Sequence, residues 1–122
     1  MARIVVVDDS EMIRRVLCDF LIDAGHEAFA CGDSADALSL ILDKKPDLAI
    51  LDYAMPSMTG TELLAELRAL KQTRRLPVVF LSATEALRFA PDVPSEPLIR
   101  FMKKPLDFER LQGLITDLLS AP

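Results

Sequence analysis

Leu48-Ala49-Ile50-Leu51-Asp52, residues 48–52, is a strand-sized apolar run that ends in a carboxylate. With no polar residue on either alternating face, such a run suits a strand buried on both sides, as in a parallel sheet covered by helices. Comparable runs recur. Residues 4–7 lead into Asp8 and Asp9, residues 78–81 lead into Ser82, and a run placed around residues 98–102 leads to Lys103 and Lys104. If these are parallel strands of one sheet, their carboxyl ends share an edge, and ligands of open α/β sheets bind outside that edge. The edge would then hold carboxylates, a hydroxyl and an ammonium, a set suited to a divalent cation and a phosphoryl group.

Amphipathic segments separate the runs. Ser10 opens a helix with Met12, Ile13, Val16, Leu17, Phe20 and Leu21 on one face, and Gly25 stops it. Residues 27–31 read as a second strand. Asp33 or Ser34 then caps a helix that turns Ala37, Leu38, Leu40, Ile41 and Leu42 inward, closed by Pro46. After the central strand come a loop with Met55, Pro56 and Gly60 and a helix burying Leu63, Leu64, Leu67 and Leu70. Pro77 introduces the fourth strand, and residues 106–119 form the last helix, with Leu111, Leu114, Ile115 and Leu118 inward. The pattern is α/β, (βα)5, which implies a five-stranded parallel sheet with right-handed crossovers and helices on both faces. One segment departs from it. The helix due between strands four and five is interrupted by Pro91, Pro94 and Pro97, and an interior proline costs a helix ~3 kcal/mol. That helix is expected to be short or disrupted, a turn or two at about residues 84–89.

A chain of 122 residues fits one domain, here residues 1–122, and buries a core without disulfides or a structural metal. Its net charge of −5 and pI of 4.8 disfavour direct binding to nucleic acid or a membrane surface, and partners are expected to be proteins. No signal peptide or membrane span is indicated, so a cytoplasmic protein is expected. Cys18 and Cys31 lie in apolar segments and read as reduced core residues.

Asp8, Asp9 and Asp52 at one edge would repel each other unless a cation offset them. Oxygen donors with no His or Cys beside them favour a hard ion, and Mg2+ takes one or two carboxylates, waters and a phosphate oxygen. Lys104 supplies an ammonium that would help neutralise an incoming phosphoryl dianion. Asp52 is then the carboxylate that can attack phosphorus and carry an acyl phosphate. Taken singly, an Asp-Asp pair is a helix cap, Ser82 a turn residue and Lys104 a solvated charge. It is their placement at the ends of separate strands that points to one site.

On these residues the chain resembles the receiver domain of two-component response regulators, over residues 4–119. The likeness rests on Val-Asp-Asp-Ser at 7–10, Leu-Asp-Tyr-Ala-Met-Pro at 51–56 with Gly60 following, Leu-Ser-Ala at 81–83 and Lys-Lys-Pro at 103–105. The resemblance implies the flavodoxin-like strand order 2-1-3-4-5. It also implies that Asp52 is the phosphoacceptor, Asp9 a direct Mg2+ ligand, Asp8 a residue acting on the metal largely through water, and Ala54 a ligand through its backbone carbonyl. Ser82 and Lys104 would engage the phosphoryl group, and the peptide before Pro105 would be cis. Phe101 stands where the family places a switch aromatic, and Ala54 and Thr84 where side chains tune water access to the acyl phosphate. By the same resemblance the donor is a histidine kinase or histidine phosphotransfer protein and the output a protein target. The chain would be a signalling receiver rather than an enzyme, promoting its own aspartyl phosphorylation and dephosphorylation. The helix-one start, with Arg14 and Arg15, looks like chemotaxis regulators. Both a complete single-domain regulator and a receiver cut from a longer protein fit the sequence, which does not specify an oligomeric state.

Other readings are a phosphorylation-independent interaction module and a haloacid-dehalogenase-type phosphatase. The phosphatase needs a second acid two residues after the nucleophile, where this chain has Ala54. A flavodoxin-type cofactor binder would need a phosphate-cradling loop after the first strand, which is missing here. His26, the one histidine, sits in the Gly25 turn at the far end of strand two, so the phosphoryl donor is expected from outside the chain.

Overall fold

The apolar runs are strands whose alternate side chains feed two separate cores. The computed structural model describes residues 2–53, 59–82 and 97–120. In chain order these form β1 (Arg3–Val7), α1 (Glu11–Asp23), β2 (Glu27–Cys31), α2 (Ser34–Lys44), β3 (Leu48–Asp52), α3 (Gly60–Ala69), β4 (Val78–Ser82), β5 (Ile99–Lys103) and α4 (Phe108–Leu119). All strand pairs are parallel and the sheet order is β2-β1-β3-β4-β5, as the resemblance implied. Val5, Val7, Ala49, Leu51, Val78 and Phe80 pack against α2 and α3. Ile4, Val6, Leu48, Ile50, Val79 and Leu81 pack against α1 and α4 on the other face. Truncating one of the fully buried leucines of either core to alanine costs roughly 2–5 kcal/mol.

The helix ends follow local chemistry. Ser10 is the N-cap of α1, its hydroxyl accepting from the Ile13 amide. The far end is a Schellman closure: His26 N–H donates to Leu21 O, Gly25 N–H donates to Ile22 O, and Gly25 takes φ 93°. Asp33, not Ser34, caps α2. Thr59 and Glu62 form a reciprocal capping box at α3, and Asp107 caps α4.

Several inward assignments need correction. On α1 only Leu17 and Leu21 are fully buried, while Met12 is 74% exposed and Val16 39%. They lie on the flank of the apolar stripe, where the helix surface turns away from the sheet. On α2 Ala37 and Ile41 are buried, and Leu38, Leu40 and Leu42 are only half-buried. Leu70 is the half-buried C-cap of α3. The last helix begins at Phe108 rather than 106, because Asp107 caps it two residues after Pro105. β5 is shifted by one residue and β3 extends to Asp52. Cys18 and Cys31 are free and half-buried rather than core, and burial pushes both thiols up, favouring the neutral form. The expected short helix, Pro91, Pro94 and Thr84 fall outside the described residues. No described helix is long and apolar enough to cross a membrane.

Candidate functional site at the carboxyl edge of the sheet

Strand parity brings three of the expected groups together. Val6, Ile50 and Met102 all point into the α1/α4 core, and two residues further along each strand stand Asp8, Asp52 and Lys104. Lys104 Nζ lies 3.1 Å from Asp8 Oδ2 and 3.6 Å from Asp52 Oδ1. Asp8 is completely buried, Asp52 and Ser82 are nearly so, and Asp9 is exposed at the rim. Ser82 ends β4 beside this cluster, and its carbonyl accepts the Lys104 amide at 2.7 Å. Lys103 is exposed at the end of β5, as alternation predicted. The Lys104–Pro105 peptide is cis.

The bond pattern of Asp8 separates a capping role from a site role. Its amide continues the β1–β2 ladder to Cys31 O at 3.2 Å. Oδ1 accepts the Ser10 amide at 2.9 Å, and the cap of α1 is Ser10. Oδ2 faces Lys104 yet accepts no hydrogen bond of good geometry. The contact is therefore coulombic and leaves a buried oxygen with an open lone pair, which a cation would satisfy. Carboxylate oxygens of Asp8, Asp9 and Asp52 all fall within 4.8 Å of one another, close to the ~4 Å spanned by opposite ligands of one Mg2+ ion. The oxygen-only donor set and the open lone pair both fit a hard divalent cation. Ala54 lies outside the described residues.

Sequence reasoning did not assign the roles of three supports of the site. Arg14 Nη1 donates to the Asp8 carbonyl at 2.7 Å, fixing the turn from β1 into α1. The Thr59–Glu62 capping box was present in the sequence as a T-x-x-E signal. Gly60 donates to Tyr53 O at 2.7 Å. A Cβ on Gly60 would come within 2.7 Å of the Phe80 ring and 3.1 Å of Asp52 O, so only glycine lets α3 start this close to the end of β3. From there an aromatic row crosses the sheet. The Tyr53 ring meets Phe80 edge-on at 6.3 Å and Phe101 stacks on Phe80 at 5.9 Å.

Chains with this fold are found among known proteins. The family model described as response regulator receiver domain matches residues 4–116, and the chain belongs to that family. It is 29% identical, over 96% of its length, to the two-component response regulator PhoP of Pseudomonas aeruginosa, and covers 51% of that protein. It is 32% identical to the sensory/regulatory protein RpfC of Xanthomonas campestris pv. campestris, covering 16% of it. The chain thus spans about half or less of these curated relatives. Among solved structures, chemotaxis response regulator CheY4 of Vibrio cholerae is similar with a TM-score of 0.88 and 28% identity, covering 97% of this chain and 98% of that one. Response regulator TrrA of Thermotoga maritima, in complex with Mg2+-BeF, has a TM-score of 0.84 and 28% identity, covering 97% and 99%. The chain is therefore a receiver-class signalling module with a CheY-like fold.

Proposed function

We propose that the protein accepts a phosphoryl group on Asp52 from a phosphohistidine of a partner protein and passes the change to a protein target. The observation that carries this is the convergence of Asp8, Asp52 and Lys104 within ion-pair distance at one sheet edge. A carboxylate oxygen of Asp52 attacks phosphorus, the bond from phosphorus to the imidazole nitrogen breaks, and the imidazole leaves. Lys104, which offsets Asp8 and Asp52 beforehand, turns part of its charge to the arriving phosphoryl oxygens, and the Ser82 hydroxyl donates to them. Asp8, Asp9, Asp52 and the carbonyl of Ala54 would hold Mg2+, whose charge offsets the crowded acids and the phosphoryl dianion when bound.

Beside Lys104 runs an apolar groove of about 240 Å³ lined by Met12, Ile13, Val16, Pro105, Leu106 and Phe108. With Met12 and Val16 exposed on α1, it offers the donor an apolar foothold next to the acceptor. Phe101, packed on Phe80, is placed to shift as Ser82 moves toward the phosphoryl group, which biases the surface that a target reads. The reading is tested by mixing the protein with a radiolabelled histidine phosphotransfer protein. Label moving to this chain as an alkali-labile acyl phosphate, and absent from Asp52→Asn, is the expected result. Transfer to Asp52→Asn at the same rate would refute it. Phosphorylation-dependent target binding left unchanged by Phe101→Ala would remove Phe101 from the switch.

A further inference from the structure

The amino-terminal edge of the sheet, opposite the acids, carries a cluster of unpartnered cations. Most described basic side chains are engaged. Arg3 pairs with Glu27, Arg15 with Glu11, Lys44 with Asp43, and Lys104 with Asp8 and Asp52. Arg14, Arg68 and Arg100 donate to backbone carbonyls. Among the described residues, the side chains of Lys45, Lys71, Arg74 and Arg75 are exposed and make no hydrogen bond or ion pair, and outside this corner only that of Arg110 shares that state. Lys45 follows α2, and the other three lie in the turn between α3 and β4. α2 and α3 share one face of the sheet, which puts both segments at the same corner.

Between them lies a cleft of about 370 Å³, with Ile41, Leu42, Pro46 and Leu76 as its apolar lining and Lys45 and Gln72 on its polar side. The corner is pre-built. Arg68 clamps the turn by donating to Thr73 O at 3.0 Å and Leu76 O at 2.8 Å, and the buried Thr73 hydroxyl donates to Leu67 O. Lys45 is held in the left-handed conformation, φ 50°, with its amide on Ile41 O. The nearby acids are turned to other partners: Asp43 pairs with Lys44, and Asp47 accepts the Arg3 amide. Glu66 sits on the exposed face of α3. On a chain of net charge −5, this leaves four cationic side chains with no ion-paired acid among the described residues, and a local positive field.

We infer that this corner docks an acidic segment of a partner protein. An apolar side chain of that segment enters the cleft, and flanking carboxylates meet Lys45, Lys71, Arg74 and Arg75. The apolar lining favours a peptide over a nucleic acid or an inorganic anion, which would have no group for it. A rigid turn loses little freedom on binding. Because the corner lies at the end of the sheet away from Asp52, the two sites can be occupied together, and the docking reading stands without the phosphorylation reading.

The test is titration of the isotope-labelled protein with a fluorescent peptide of glutamate and aspartate around one central leucine. Saturable binding is expected, with amide shifts centred on Lys45, Gln72, Thr73 and Leu76. Replacing the leucine by serine, or using the Lys71→Glu/Arg74→Glu/Arg75→Glu variant, weakens binding about tenfold or more. Arg110→Glu leaves it unchanged, and all substituted side chains are exposed, so the fold is retained. Absence of saturable binding, shifts centred elsewhere, or equal affinity for the serine peptide or for polyphosphate of matched charge would overturn the inference.

Discussion

Lys104 Nζ stands 3.1 Å from Oδ2 of the fully buried Asp8, nearer than its 3.6 Å approach to Asp52 Oδ1. The ammonium therefore serves as the internal counter-ion of a carboxylate that has no access to water, besides facing the acceptor. Lys104→Met removes that charge. The variant is expected to lose about 1–3 kcal/mol of stability without Mg2+, and less with Mg2+ present, which urea unfolding in both conditions reads. An equal loss in the two conditions would show that the lysine acts through packing alone.

Asp8→Asn takes one charge from the acidic crowd. Stability in the absence of metal is expected to stay level or rise. The stabilisation conferred by saturating Mg2+, about 2.7 kcal/mol at a hundredfold excess over Kd, should shrink sharply. Thermal melts across a Mg2+ series measure both effects. Undiminished stabilisation of this variant and of Asp9→Asn would place the ion elsewhere.

Gly60→Ala drives a methyl group into the Phe80 ring and toward Asp52 O. A cost of about 1–3 kcal/mol is expected from this overpacking, with slower phosphorylation because the end of β3 shifts. Denaturant unfolding and phosphorylation rates report the two parts. A variant as stable as the parent would mean that α3 can start farther from β3 without consequence.

Met12→Glu and Val16→Glu probe the groove beside Lys104. Both side chains are exposed, so stability should hold. Transfer from a protein donor is expected to fall about tenfold or more, while phosphorylation by a small-molecule donor stays within about twofold of the parent. Parallel losses with both donors would locate the defect in the site rather than in docking.

His26 adds a pH dependence remote from the site. Its Nδ1 accepts the Ala2 amide at 3.1 Å. Burial first, and then the positive amino terminus, hold its pKa below the ordinary 6.5. Because the folded state binds the proton less readily than the unfolded chain, the stability this group contributes is present above pH 6.5 and is lost as pH falls through the folded pKa. The slope of stability against pH between 6.5 and the lower folded pKa should be smaller in His26→Gln, and an unchanged slope there would exclude the histidine.

The strands and their order were legible because both-face burial leaves unbroken apolar runs, and residues 4–7, 48–51 and 78–81 have no other reading at that length. The clustering of Asp8, Asp52 and Lys104 was legible for the same reason, since strand ends in one parallel sheet share an edge. Helix faces were less so. Met12 and Leu42 satisfy helical periodicity as well as Leu17 and Ile41 do, and only the angle at which each helix meets the sheet decides which is covered. Gly60 and Arg14 were named only as parts of motifs, because their structural roles come from what lies across space, the Phe80 ring and the Asp8 carbonyl. Neither neighbour is encoded in local pattern.

Intact mass after incubation with a small-molecule phosphodonor and Mg2+ tests the central claim most directly, with Asp52→Asn and a metal-chelated sample alongside. Gain of one phosphoryl group by the parent, and by neither control, is the predicted result. A parent whose mass does not change, or an Asp52→Asn variant that gains the group equally, would contradict the assignment of Asp52 as the acceptor.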